Sequence, residues 1–287
     1  MRTALVRSIR KQTALRLVAA GFAGLLATIA QSPAAPARQN SRVVPIVNGY
    51  GLLVGGTSDG KWISWKRTHA AIRGGEKYRF YGAKGAEGES VGGKPVLSEA
   101  SGNAYTIPFP DRKSDESAGL IGIAANWNAT PRLTKVQNSD QKLYLAEVAK
   151  VLAAHGLRRA TPHITRIVRV DLAGTGQESA IIEAASPGFS VSNESKPATV
   201  RLKTYSFVML RTPMAGGLRT TVLNGEFARK GDDSVFHKYA IGQILDLNGD
   251  GAMEIVVQTS YYEGGGDQVF EVKKGVPRLA LQAEDGA

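Results

Sequence analysis

Asp246-Leu247-Asn248-Gly249-Asp250-Gly251-Ala252-Met253-Glu254, followed directly by Ile255-Val256-Val257, is the stretch whose reading decides the fold. Side chains bearing oxygen stand at its first, third, fifth and ninth positions. A hard divalent cation takes about six to eight oxygens, and alternate side chains of a turning loop supply them compactly. Gly249 and Gly251 let the backbone turn through positive φ, where a Cβ would clash. The seventh residue, Ala252, can add its carbonyl. The expectation is one Ca2+ site held by Asp246, Asn248, Asp250, Ala252 and Glu254. The same residues also suit a plain Asn-Gly or Asp-Gly turn with solvated acids.

The residues after the loop separate two kinds of calcium site. An EF-hand loop closes with a carboxylate at its twelfth position and runs into a helix. Here the twelfth residue is Val257, and residues 254–262 are rich in β-branched and aromatic side chains. That composition predicts a strand, which excludes both the EF-hand and the dockerin arrangement.

A second, weaker copy lies 75 residues upstream. Ile167-Val168-Arg169-Val170-Asp171-Leu172-Ala173-Gly174-Thr175-Gly176-Gln177-Glu178-Ser179 also reads as an apolar strand ending in Asp-Leu, then G-x-G, then an acid and apolar residues. Its ligand positions are Asp171, Ala173, Thr175 and Ser179, which leaves one carboxylate; Glu178 falls one place early, on the opposite face of a strand. Thr204–Arg211 and Leu218–Phe227 would complete this first unit, and Asp267–Val272 with Val276–Leu281 the second. The polar stretch Ser186–Pro197 reads as a loop.

With its carboxylate at position nine, the Asp246–Glu254 loop resembles the D-x-D-x-D-G-x-x-D loops of FG-GAP and VCBS-type repeats, the calcium-bearing blades of integrin-like β-propellers. The resemblance covers residues 160–287. It implies a pair of four-stranded blades with calcium in the second copy and none in the first. Closed propellers need about four or more blades, so an open or sandwich-like pair is expected.

The N-terminus has the three parts of a Sec-type signal peptide: a basic region ending at Arg16, an apolar run Leu17–Ala30, and small residues with Ala35-Pro36-Ala37 as a cleavage site. Bacterial export to the periplasm or the medium is therefore expected, with no transmembrane segment left after cleavage. The 287 residues contain no cysteine, so disulfide and thiol chemistry are excluded. Five of the 36 basic residues and none of the 25 acids fall in residues 1–37, leaving +6 on the rest. That mild charge, without a basic run interleaved with aromatics, argues against nucleic acid as a partner.

The expected organisation is mainly β: a signal peptide at 1–37, a β-rich α+β module at 43–135, a connecting helix at 139–156, and the two-copy β domain at 160–287. Asp59-Gly60 between apolar runs predicts a hairpin. Ser64 suits the cap of a short helix, Trp65–Arg73, and Lys77–Tyr81 alternates as a half-buried strand does. Gly82–Gly93 reads as a glycine-rich loop. Ser139 suits the cap of the longest helix, with Leu145, Val148 and Leu152 as its apolar stripe and Gly156 as its end.

The chemistry-bearing residues form no complete catalytic set. His69, His155, His163 and His237 lack the spacing of a zinc site. Gly56-Thr57-Ser58-Asp59-Gly60 fits G-x-S-x-G, and Ser58 with Lys61 fits S-x-x-K. A nucleophile elbow, however, needs a helix behind the turn, and Lys61-Trp62-Ile63 is β-like. Glu263-Gly264-Gly265-Gly266-Asp267 holds two acids at the tip of a predicted hairpin. Two function classes remain. One is an exported, calcium-stabilised binding or scaffold module meeting a protein or carbohydrate ligand at the cell envelope. The other is an exported hydrolase acting on cell-wall or polysaccharide substrates. The binding class is preferred, and the sequence leaves enzyme status open.

Overall fold

The apolar run behind the acidic loop becomes the middle layer of a stack of three sheets. The computed structural model describes residues 42–113, 117–139, 141–190, 204–228 and 236–286; the segment read as a signal peptide lies outside them. The first strands are β1 (Val43–Asn48), β2 (Leu53–Ser58) and β3 (Lys61–Ser64), followed by helix α1 (Trp65–Ala71). Next come β4 (Lys77–Gly82), β5 (Gly85–Val91), a two-residue pair β6 (Val96–Leu97) and β7 (Tyr105–Thr106), and β8 (Ile121–Ile123). They form an antiparallel sheet in the order β3-β2-β1-β8-β4-β5, with β6 and β7 paired beside it. The β2–β3 turn has Asp59 at φ 51° and Gly60 at φ 71°, the two positive values that a two-residue hairpin of matching twist requires.

The second sheet joins β9 (Lys135–Gln137), which precedes helix α2 (Lys142–Ala154), to β10 (Ile164–Val170), β11 (Ser179–Ala185), β12 (Tyr205–Met214) and β13 (Gly217–Phe227). The third holds β14 (Lys238–Leu245), β15 (Glu254–Tyr261), β16 (Gly264–Lys273) and β17 (Val276–Gly286), each paired to the next. Strands β10–β13 and β14–β17 are thus two up-and-down meanders of four strands, the size of a propeller blade. Among the described residues no sheet closes on itself. The protein is mainly β and open, as expected.

Side chains alternate across a strand, and the third sheet uses both faces. Ile255, Val257 and Phe270 pack with Val168, Ile181 and Val208 of the second sheet. Val256, Val269 and Leu281 pack instead with Ile46, Val54 and Ile121 of the first. Ile255-Val256-Val257 is a continuous apolar run because neighbours cover both of its sides. A register shift between Ile241 and Ile244 keeps these two residues in the same core cluster despite their odd spacing. On the far side of the second sheet, Tyr144, Val148 and Leu152 of α2 cover Ile167, Ile182 and Phe207.

Several expectations change in detail. Gly82–Gly93 contains an edge strand, β5, not a loop; most of it is exposed, so it lacks the buried face that would mark a strand. Helix α1 ends at Ala71, short of Arg73. Helix α2 starts after Gln141, and Ser139 does not cap it. Much of Ser186–Pro197 lies outside the described residues.

Candidate functional site

The Asp246–Glu254 loop links β14 to β15 at one end of the middle sheet. Gly249 and Gly251 have φ values of 78° and 82°, and the corresponding Gly174 and Gly176 have 71° and 81°. The two loops therefore turn through positive φ at matching positions. Asp246 accepts from the N–H of Gly249 at 2.7 Å and of Gly251 at 3.0 Å. Asp171 does the same for Thr175 at 3.1 Å and Gly176 at 2.6 Å. The first acid of each loop ties its turn together.

The remaining candidates cluster around Asp246. Asn248 Oδ1 accepts from the Asp250 N–H at 2.9 Å, and Asn248 Nδ2 donates to Asp250 Oδ2 at 3.1 Å. Ala252 donates its N–H to Asp250 Oδ1 at 2.8 Å. Glu254 is buried and accepts the Leu247 N–H at 2.8 Å. Burial, together with the charges of Asp250 and Asp246, pushes its carboxyl up to about 8. Burial also raises Asp246. The loop gathers three acids, two of them buried, and a divalent cation there would favour their ionised forms. Among the described residues no three His, Asp or Glu side chains converge as a metal shell; the carboxylates of the loop are turned onto its own N–H groups. In the first copy Glu178 faces away, paired with Lys135 at 2.7 Å and Arg169 at 2.9 Å.

The segment between β8 and β9 holds both loops, and nothing in its sequence announced this. Trp127 Nε1 donates to the Asp246 carbonyl at 2.8 Å, and its ring lies where a Cβ on Gly249 would come within 3.2 Å. Arg132 reaches three carbonyls: Asp171 at 2.5 Å, Leu172 at 2.9 Å and Gly251 at 2.7 Å. One guanidinium fork thus joins the first loop to the second.

The other sequence candidates separate. Ser58 ends β2 opposite Lys61 in a strand–turn–strand hairpin, which is not the geometry of a nucleophile elbow. His69 stacks on Tyr105 and His155 on Phe227, at 3.9 and 3.8 Å between ring centres. His163 Nδ1 meets the Ala185 carbonyl at 3.0 Å. His237 Nδ1 lies 2.6 Å from Glu226, which also accepts from the Tyr239 hydroxyl.

Of the two acids at the Glu263–Asp267 tip, Glu263 is exposed and Asp267 is buried, 2% accessible. Asn48 Nδ2 donates to Asp267 Oδ2 at 2.9 Å and Gln258 Nε2 to Oδ1 at 3.3 Å. Burial nonetheless pushes its carboxyl up to about 6. Asp267 lines a cleft of about 600 Å³ between the first and third sheets, together with Tyr50, Gly119, Lys238, Gly265 and Asp285. This volume lies within the ~300–1,000 Å³ of small-molecule sites. The sequence did carry a signal for it: Asp267 sits two residues before the buried Val269, so a strand places both on one face.

Among the described residues no helix is long and apolar enough to cross a membrane. The chain matches no family model, no curated protein and no solved structure.

Proposed function

We infer that the chain is an exported binding module whose stacked sheets are stabilised by one calcium ion in the Asp246–Glu254 loop. Export rests on the basic, apolar and small-residue order of residues 1–37. The intact mass of the exported protein should match a chain lacking about 30–37 residues; a chain still beginning at Met1 would refute export.

The observation that carries the calcium reading is the buried pair Asp246 and Glu254 beside Asp250, acids whose mutual repulsion and burial favour a bound cation. Asp246, Asn248, Asp250 and Glu254 would hold the ion with side-chain oxygens, and it would neutralise their charge at this end of the middle sheet. Millimolar calcium should then raise the melting temperature, and a chelator should lower it again. Melting curves that coincide in calcium and in chelator would remove this reading.

Ligand binding is assigned to the cleft between the first and third sheets. Its lining combines a buried carboxylate, amides, tyrosines and a run of glycines, and includes no histidine. One observation favours the hydrolase alternative. Asp267 and Asp285 are diagonal neighbours on β16 and β17, since Asp285 lies opposite Gly265 and Asp267 opposite Ala283. A carboxyl raised to about 6 beside a second carboxylate suits acid catalysis on a glycosidic bond. Release of new reducing ends from a polysaccharide, abolished by Asp267→Asn, would establish that alternative.

A further inference from the structure

We propose that the cleft binds a saccharide, with Asp267, Gln258 and Asp285 taking its hydroxyls and Tyr50 packing against its ring. This identification of the ligand rests on the reading of the chain as a binding module.

The register of the third sheet builds the site. The innermost residues facing the first sheet, Val256, Val269 and Leu281, are fully apolar and packed. One row outward, paired residues give Ala240, Gln258, Asp267 and Ala283 across the four strands. The next row gives Lys238, Ser260, Gly265 and Asp285. Large apolar side chains stop, small and polar ones replace them, and the seam between the two sheets opens as a cleft. Gly264, Gly265 and Gly266 all line it, so peptide groups form part of its wall.

A carboxylate at the floor of such a seam is costly without a partner. Asp267 has two amide donors and no cation within ion-pair distance among the described residues. One of these donors, Asn48, is itself held. Asn48 Oδ1 accepts the N–H groups of Tyr50 and Leu52, each at 3.0 Å. Asp285 is fixed by the Ser98 hydroxyl at 2.7 Å. The acceptors are therefore positioned before any ligand arrives, which lowers the ordering cost of binding. At the mouth, Tyr50 is 61% exposed, though a tyrosine ring presents a large apolar face.

The chemistry discriminates among ligand classes. Two carboxylates against the single Lys238 disfavour phosphates and other anions. A carboxylate and amide floor disfavours a purely apolar ligand, which would strip these groups of water without replacing its hydrogen bonds. A sugar offers hydroxyls that donate to Asp267 and Asp285, oxygens that accept from Lys238, and an apolar ring face for tyrosine.

The test is titration of the full chain with N-acetylglucosamine, maltose and cellobiose, followed by ligand-detected NMR. At least one should bind. Its affinity should fall about tenfold or more in Asp267→Asn and in Asp285→Asn, and severalfold in Tyr50→Ala. Tyr50 and Asp285 are not core residues, so these two variants keep the test valid if Asp267→Asn folds poorly. No binding of any of the three sugars up to about 10 mM, or binding unchanged in all three variants, overturns the proposal. Trilysine binding at the same residues in place of the sugars would overturn the saccharide and leave the binding module standing. Sugar binding accompanied by new reducing ends would overturn the binding module and leave the saccharide.

Discussion

Replacing Asp267 with asparagine should stabilise the chain at neutral pH by about 3 kcal/mol, from a carboxyl raised from 3.8 to about 6. The folded state holds the proton more tightly than the unfolded chain does. The stabilising contribution of the neutral acid is thus complete below about pH 4 and is lost as pH rises through about 6. Above that, the folded protein carries an ionised carboxylate in a buried site. Asparagine keeps an acceptor for Asn48, and Gln258 can turn to accept from the new amide. Wild type and Asp267→Asn should therefore melt closest together at or below about pH 4, draw apart progressively as pH rises toward 6, and stay apart above it. At about 2–4 °C per kcal/mol for a chain of this size, the separation is roughly 6–12 °C. Melting curves from pH 4 to 8 check this, and a variant less stable than wild type at pH 7 would contradict it. Because the same change is expected to weaken sugar binding, a more stable but poorer binder would mark Asp267 as a functional residue, not a structural one.

The second large effect is expected at Arg132. Truncation to alanine removes three charge-assisted hydrogen bonds to the carbonyls of Asp171, Leu172 and Gly251. Each is worth about 1.5–3 kcal/mol at most, and water will replace part of them at this half-buried position. A loss of about 3 kcal/mol is expected, read as a lower midpoint in urea with unchanged slope. Arg132→Lys should recover less than half, because an ammonium cannot spread three donors over two loops. Equal stability of Arg132→Ala and wild type would show that the Met253 N–H on the Leu172 carbonyl, at 2.8 Å, suffices to join the loops.

Local chemistry made some of this protein legible and hid the rest. The Asp59-Gly60 hairpin and the strands of both meanders announce themselves by turn residues and apolar periodicity. The matching positive-φ turns of the two loops come from glycines in the same places. β5 was opaque because an edge strand with little burial shows no alternation. Ser139 looked like a helix cap, yet the chain delays the helix until after Gln141. The roles of Trp127 and Arg132 could not be read at all: their partners lie 39 to 119 residues away in sequence. Asp267 stands between these cases. Its burial is set by strand periodicity, while its partner Asn48, 219 residues distant, appears only once the sheets are stacked.

The most direct test of the central claim is the calcium response of two single variants compared with wild type. With a dissociation constant near 10⁻⁴ M, typical of extracellular modules, about 1 mM calcium stabilises the fold by about 1.4 kcal/mol. That amounts to roughly 3–6 °C in melting temperature. Asp171→Ala removes the tie of the first loop and leaves the second loop intact, so its curves with calcium and with chelator should still separate by this amount. Asp246→Ala removes a proposed calcium ligand, and its two curves should coincide. Equal loss of the response in both variants would assign metal to the first loop as well, and no response in wild type would contradict the calcium site itself.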